Sequence, residues 1–212
     1  MAQRQVRRES LVKVQVYVEG TANDAQRTEC RRAFQKLFIS AGLEGRLPKV
    51  FACGSRQNAF EDFCLALKTA KDNEMPILLV DSEEPKGNLD AWEHLARRRG
   101  DNWQKPANAT NDHVFLMIVC MEAWFLADRN KLSEYFGNGF RINALPQRPV
   151  VEEVSKQELY DGLRNATRDC NARGGYKKGS HSFQILELLN APAIINASPE
   201  AERFFEALRR VC

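Results

Sequence analysis

Four short apolar segments alternate with helical patterns, and this alternation constrains the fold more than any other feature of the chain. The apolar segments are residues 11–20, 48–54, 76–83 and 113–120. The third and fourth are almost continuously apolar, which is typical of parallel strands that are covered on both faces. The pattern therefore predicts an α/β fold with an open, mostly parallel sheet flanked by helices.

Beyond Asp128 the alternation stops and helical patterns dominate. The last of them begins at Ser198, with Pro199 in the first helical position, where its missing N–H and fixed φ are well tolerated. The chain has 212 residues, which suits one domain with an appendage better than two full domains. We therefore expect an α/β core at residues 1–136 and a helical extension at residues 137–212 that completes the same domain.

Composition limits the classes of partner and compartment. Lys and Arg total 31 against 28 acids, and a net charge of +3 is too weak to indicate nucleic-acid binding by itself. The six cysteines form no CxxC pair, and no run is apolar enough for a signal core or a membrane span, so a cytoplasmic protein is expected. Self-association into a homo-oligomer stays open. Basic residues cluster locally at Arg4, Arg7 and Arg8, at Arg27, Arg31 and Arg32, at residues 97–99, and at Lys177 and Lys178.

Acidic residues follow three of the predicted strands. Glu19 ends the first, Asp81 and Glu83 end the third, and Glu122 follows the fourth. Because the carboxyl ends of parallel strands meet at one edge of a sheet, we expect these carboxylates to lie close together. Without comparable local positive charge they would repel one another, and a divalent cation is the simplest compensation. A set of oxygen ligands favours Mg²⁺ or Mn²⁺ over zinc.

Each of these acids has an alternative interpretation as an ordinary loop residue. Glu122 also suits the start of a helix, where the helix dipole favours a negative charge. Taken together, the four positions favour a metal site, with Glu122 as a further ligand.

Three cationic or titratable residues are candidates for contact with a phosphate group. Arg56 follows a predicted helix cap at the end of the second strand, on the same edge as Glu19. Lys178 and His181 lie in a Gly-bounded basic segment that is predicted to be a flexible loop. His94 lies in an amphipathic helical pattern and is expected at the surface.

Two segments resemble the motifs of Toprim domains, which serve topoisomerases, primases and nucleases. VYVEG at residues 16–20 resembles the apolar strand that ends in Glu-Gly, and ILLVDSE at residues 77–83 resembles the strand that ends in Asp-x-Asp. The resemblance covers residues 11–125 and implies a Toprim-like fold.

The same resemblance assigns roles to individual acids. It implies Glu19 as an acid/base or a metal ligand, and Asp81 and Glu83 as metal ligands. Glu83 stands where the motif has its second Asp, so the charge is kept while the side chain is longer by one methylene. Glu84 is an alternative ligand if the turn differs.

Three further segments resemble a bacterial Toprim-like family catalogued as domain of unknown function 4276. They are CMEAWFLAD at residues 120–128, YKKGSHSF at 176–183 and INASPEAERF at 195–204, so the resemblance spans nearly the whole chain. Members of this family resemble the nuclease partners of ABC-type ATPases in anti-phage defence, which implies an antiviral role and an ATPase partner. The chain has no GxxxxGK[ST] motif, so ATP hydrolysis is expected from another polypeptide.

The resulting prediction is a Mg²⁺- or Mn²⁺-dependent nuclease that cleaves phosphodiester bonds of DNA, RNA or tRNA. One alternative is a non-catalytic subunit that docks on an ATPase through its acidic edge. Another is a phosphoryl-transfer enzyme on small nucleotides, which suits the modest net charge. The predicted residues are Glu19 and Lys178 for catalysis, Glu19, Asp81, Glu83 and Glu122 for the metal, and Arg56 and His181 for substrate phosphate.

Overall fold

A computed structural model of the chain describes residues 12–21 and 23–212; the basic cluster at Arg4, Arg7 and Arg8 lies outside them. The predicted fold class is confirmed. Four parallel strands form one open sheet in the order β2-β1-β3-β4, flanked by helices, which is consistent with a Toprim-like fold. The strands are β1 (Lys13–Glu19), β2 (Lys49–Cys53), β3 (Glu74–Asp81) and β4 (Val114–Met117).

The register of the sheet brings the predicted acids to one edge. In the middle of β1, Val16 pairs with Val50 of β2 on one side and with Ile77 of β3 on the other. Since β1 and β3 are parallel neighbours, their last residues Glu19 and Asp81 lie at the same end of the sheet, where the acids were predicted to meet.

Strand β4 is shorter than the apolar segment at residues 113–120 that predicted it. It pairs with β3 only as far as Met117, which lies opposite Asp81. Val119 then has a φ of +63°, and the N–H of Cys120 donates to the carbonyl of Ile118 at 2.9 Å. The chain therefore turns away two residues after β4, although the sequence there stays apolar and buried.

The helices begin where capping side chains allow. Asn23 caps the first helix by accepting from the N–H groups of Ala25 and Gln26, and Ser198 caps the last, as predicted. A 3-10 helix at Met121–Asp128 follows β4. The α-helices are α1 (Asp24–Ser40), α2 (Arg56–Thr69), α3 (Ala91–Arg97), α4 (Arg129–Phe136), α5 (Lys156–Thr167), α6 (Ser182–Leu186), α7 (Ala191–Ala197) and α8 (Pro199–Val211).

The C-terminal helices share the core of the sheet. Phe204 of α8 packs against Phe115 of β4, with ring centroids 5.2 Å apart, and against Phe38 of α1 at 6.1 Å. These rings are at most 1% exposed, so the contact buries a large apolar area, which is the dominant stabilising term in folding. All six cysteines are free thiols. None of the described helices is long and apolar enough to cross a membrane.

Candidate metal centre

Glu19 is held at the end of β1 by the close approach of β2. The N–H of the following residue, Gly20, donates to the carbonyl of Cys53 at 3.0 Å. A Cβ atom on Gly20 would lie 3.1 Å from the carbonyl carbon of Ala52, tighter than an ordinary contact. The Glu-Gly pair thus has a packing reason, because a side chain at Gly20 would press against β2 where the acid leaves the sheet.

The segment after β3 is bound to the segment after β4 by hydrogen bonds. The N–H of Ser82 donates to the carbonyl of Met117 at 2.9 Å, and the N–H of Glu83 donates to that of Val119 at 2.9 Å. In return, the N–H of Val119 donates to Ser82 Oγ at 2.7 Å. Glu83 has a φ of +66°, and Val119 is also left-handed, which is rare outside glycine. Such strain costs about 1–3 kcal/mol and persists only where surrounding contacts hold it.

Asp81 is buried beside these segments. Its Oδ1 accepts the N–H of Met121 at 2.8 Å. Burial, together with the negative charges of Glu122 and Glu19, raises the pKa of Asp81 to about 8. A carboxyl group in this setting is costly to ionise unless positive charge is added beside it.

Glu19, Asp81 and Glu83 form the acidic triad. One oxygen of each carboxylate lies within 4.8 Å of the others. In octahedral coordination at about 2.1 Å, ligand oxygens lie about 3 to 4.2 Å apart, so small side-chain rotations would close the triad around an ion. Glu19 Oε2 is buried and finds no hydrogen-bond partner among the residues described. A buried, unpartnered carboxylate oxygen beside two further acids fits a hard divalent cation.

The pKa values within the triad move in opposite directions. Burial raises the pKa of Glu19; Arg56 opposes this shift and the charge of Glu83 adds to it. Burial also raises the pKa of Glu83, but Lys156 outweighs that effect through a hydrogen bond and its charge, so the net shift is downward. Glu83 is therefore the readily ionised member of the triad.

Lys156 belongs to the candidate site, and the sequence did not reveal it. Its Nζ forms a hydrogen-bonded ion pair with Glu83 Oε2. Lys156 therefore supplies local positive charge beside the acids. The sequence does contain a helix-start pattern at this point: Ser155 and Glu158 form a capping box, which makes Lys156 the first residue of α5. Nothing in the sequence indicated that α5 begins beside Glu83.

A cavity of about 130 Å³ adjoins the triad. Glu19 and Asp81 line it, together with Glu122 and Lys178, and the apolar part of its wall is formed by Phe34, Met117, Met121 and Phe183. Its volume is enough for several water molecules, each of which needs about 10–15 Å³ by this measure. The cavity thus offers space for water or a small anionic group between the acids and a lysine.

The family model of the domain of unknown function DUF4276 matches residues 18–209. The chain belongs to this family. The match begins just before Glu19 and includes the whole triad, Lys156 and Lys178. No curated protein and no solved structure shows a significant match.

In this DUF4276 chain, Glu122 lies outside the triad. It is 2% exposed, and its Oε1 accepts hydrogen bonds from Ser182 Oγ at 3.0 Å and from the Tyr176 hydroxyl at 3.2 Å. Glu122 lines the cavity but is not one of the three carboxylates grouped within 4.8 Å in the described part of the chain. It lies in the first turn of the 3-10 helix after β4, which agrees with the alternative interpretation of Glu122 as a helix-start acid.

The basic segment at residues 174–182 of the DUF4276 chain was predicted to be a flexible loop, and in the structure it is tied down at several points. Besides the bonds to Glu122, the N–H of Tyr176 donates to Thr167 Oγ1 at 2.8 Å, and Gln26 Nε2 donates to the carbonyl of Gly179 at 3.2 Å. The segment therefore presents Lys178 to the cavity from a defined position.

Lys178 faces the carboxylates while much of its side chain stays exposed. Its Nζ lies 5.7 Å from the centroid of the Tyr160 ring. Burial lowers the pKa of Lys178, but the nearby charges of Glu122 and Asp81 outweigh it and shift the pKa upward. Lys178 is thus a cation beside the acids, able to donate to an anion in the cavity.

The two predicted phosphate contacts are not among the residues that line the cavity where the chain is described. Arg56 is engaged elsewhere: its Nε and Nη2 donate to the Asp101 carboxylate at 3.0 and 2.8 Å, and it stacks on Trp103 at 4.9 Å. Its Nη1 donates to the carbonyl of Asp81 at 2.5 Å, so Arg56 supports the backbone of the triad.

His181 lies in an aromatic cluster. Its ring meets those of Tyr135 and Phe136 edge-on, at 5.9 and 5.6 Å between centroids, and its Nδ1 accepts the N–H of Lys177. Burial and the charges of Lys177 and Arg173 lower its pKa, which favours a neutral imidazole. This setting makes His181 a packing residue within the basic segment.

The expectation that His94 lies at the surface is wrong. His94 is 5% exposed, and its Nε2 lies 2.8 Å from the carbonyl oxygen of Ser82. Helix α3 turns this side chain inward, against the segment that carries Glu83. The amphipathic pattern of a helix indicates which residues share a face but not what lies opposite them.

Proposed function

We propose that this DUF4276 protein is a Mg²⁺- or Mn²⁺-dependent nuclease that cleaves phosphodiester bonds of nucleic acid. The observation that carries the proposal is the acidic triad, with its oxygens within 4.8 Å and with the buried, unpartnered Oε2 of Glu19. The resemblance of both strand ends to Toprim motifs supports the same chemistry.

The acids and Lys178 have different roles in the proposed cleavage reaction. Glu19, Asp81 and Glu83 hold the cation, which when bound supplies charge stabilisation to the phosphoryl group and lowers the pKa of water. Glu19 orients the attacking water and accepts a proton from it. Lys178 donates to a phosphate oxygen or the leaving oxygen, where negative charge develops. Glu122 holds the segment that presents Lys178.

A phosphoryl-transfer enzyme acting on small nucleotides is the second candidate. The cavity of about 130 Å³ favours it, because such a space receives one phosphate group more readily than a long duplex. A cleavage assay separates this candidate from the nuclease if small nucleotides are tested beside single-stranded DNA, duplex DNA and tRNA.

The test of the nuclease proposal is cleavage of those substrates by the purified chain, alone and with an ABC-type ATPase, in Mg²⁺, Mn²⁺ or EDTA. We expect cleavage that EDTA abolishes, and a reduction of about 100-fold or more for Lys178→Ala, the scale at which a positioned acid contributes. The melting temperature of this variant should change little, because an exposed lysine contributes little to folding.

Lys177→Ala is the matched control for this lysine. Lys177 is the neighbouring residue, is exposed and does not line the cavity, so its substitution should leave cleavage unchanged. Equal losses for both variants would assign the effect to general attraction of nucleic acid. A large fall in the melting temperature of Lys178→Ala would make Lys178 structural.

We also propose that the chain is the effector of an anti-phage defence system and assembles with an ABC-type ATPase, as the family resemblance implies. Co-expression with an ATPase encoded beside it should give a complex that survives size-exclusion chromatography. Full nuclease activity of the chain purified alone, unchanged by the ATPase, would count against this partnership.

A further inference from the structure

We propose that Lys156 is an internal counter-ion that takes the place of the metal at Glu83 and is displaced when the metal binds. This inference rests on the proposed function, because it requires that the acidic triad binds a divalent cation. It assigns Lys156 a positioning role: the residue controls how readily Glu83 becomes available as a ligand.

The first observation is that the Glu83 carboxylate belongs both to the acidic triad and to an ion pair. The Glu83 carboxylate belongs to the triad whose oxygens lie within 4.8 Å, and its Oε2 is also the acceptor of the ion pair with Lys156. A divalent cation within the triad and an ammonium group on the same carboxylate would be like charges only a few ångströms apart, which is strongly unfavourable. Binding of one cation therefore favours departure of the other.

The second observation is that Lys156 can leave at little cost. Its side chain is 37% exposed, so the ammonium group can rotate into water without losing a buried environment. Lys156 is also the first residue of α5, where the positive end of the helix dipole disfavours a cation. Glu83 offsets that unfavourable placement, so the ion pair is what holds the lysine there.

The third observation is that Glu83 cannot easily follow the lysine. Its backbone has a φ of +66°, and its N–H is bonded to the carbonyl of Val119. The base of the Glu83 side chain is therefore fixed at the sheet edge, beside Asp81. Loading of the metal changes the partner of Glu83 without requiring a change in the fold.

The experiment is calorimetric titration of Mn²⁺ into the full chain at pH 7.5 in 0.15 M salt. We compare the wild type with Lys156→Met, which keeps an unbranched side chain only one heavy atom shorter and removes its charge, and with Lys156→Arg, which keeps the charge. We expect Lys156→Met to bind Mn²⁺ about three- to tenfold more tightly, because the competing cation is gone. Lys156→Arg should stay within about twofold of the wild type.

Arg164→Met is the matched control, since Arg164 lies on the same helix and forms an exposed ion pair with Asp161. Its Kd for Mn²⁺ should change less than about twofold, because salt screens a distant exposed charge. A similar tightening in Arg164→Met would overturn the inference by assigning the effect to net charge.

The outcomes separate this inference from the proposed function. Mn²⁺ binding by the wild type with an unchanged or weaker affinity in Lys156→Met would overturn the role of Lys156 and leave the metal site standing. Absence of any Mn²⁺ binding by the wild type would overturn both. If Lys156→Met does not fold, the ¹³C signals of methylated lysines provide a second test. The signal that is missing in Lys156→Arg should shift on addition of Mg²⁺, and an unshifted signal would contradict displacement.

Discussion

Glu19→Gln should lower Mg²⁺-dependent cleavage by roughly 100-fold or more, the scale at which a general base contributes. Glutamine keeps the shape of the side chain and removes the charge that would bind the cation and accept the proton. The metal-free protein should fold normally and be as stable as the wild type or slightly more so, because a charge beside Glu83 and Asp81 is removed.

Two measurements check this expectation on the same preparations. Cleavage rates test catalysis, and melting curves with and without Mg²⁺ or Mn²⁺ test metal binding, since a ligand that binds only the folded chain stabilises it. The metal-induced rise in melting temperature should shrink in Glu19→Gln. Undiminished cleavage by this variant would refute the catalytic role of Glu19.

Asp81→Asn should remove a pH-dependent loss of stability from the metal-free protein. The folded-state pKa of Asp81 is raised to about 8, whereas an aspartate in the unfolded chain has a pKa of about 4. Between these values the folded state keeps a proton that the unfolded state has released, so the free energy of unfolding falls as pH rises. The slope is at most about 1.4 kcal/mol per pH unit, and it ends above the folded-state pKa.

The measurement is urea unfolding in EDTA between pH 5 and 9 for the wild type and Asp81→Asn. We expect the difference between the two proteins to reach at least about 2 kcal/mol over this range, with the variant gaining relative stability as pH rises. Taking the difference removes the contributions of His113 and His181, whose lowered pKa values act in the opposite direction. Parallel curves for the two proteins would show that Asp81 is ionised throughout. Mg²⁺ should stabilise the wild type and leave Asp81→Asn nearly unchanged.

Most of the sheet could be predicted from local pattern. Strands β1, β2 and β3 follow the apolar segments to within a few residues, and the caps at Ser55 and Ser198 fix the starts of two helices. The end of β4 was not predictable, because the left-handed φ of Val119 depends on hydrogen bonds to the segment after β3, and an apolar sequence carries no sign of such a turn.

The sequence by itself determined the parallel sheet and the gathering of Glu19, Asp81 and Glu83 at one edge, because strand periodicity is a local pattern and strands that alternate with helices pair in parallel. Only the tertiary structure decided what each charge faces. Lys156 is 73 residues from Glu83, Ser182 is 60 from Glu122, and Asp101 is 45 from Arg56. These pairs form because helices and connections pack against the edge of the sheet, and the direction of that packing depends on the shape of the whole core. The sequence therefore states which residues are charged. The folded chain decides which partner each charge meets, and that partner sets the pKa of the charged group and its availability to a metal or a phosphate.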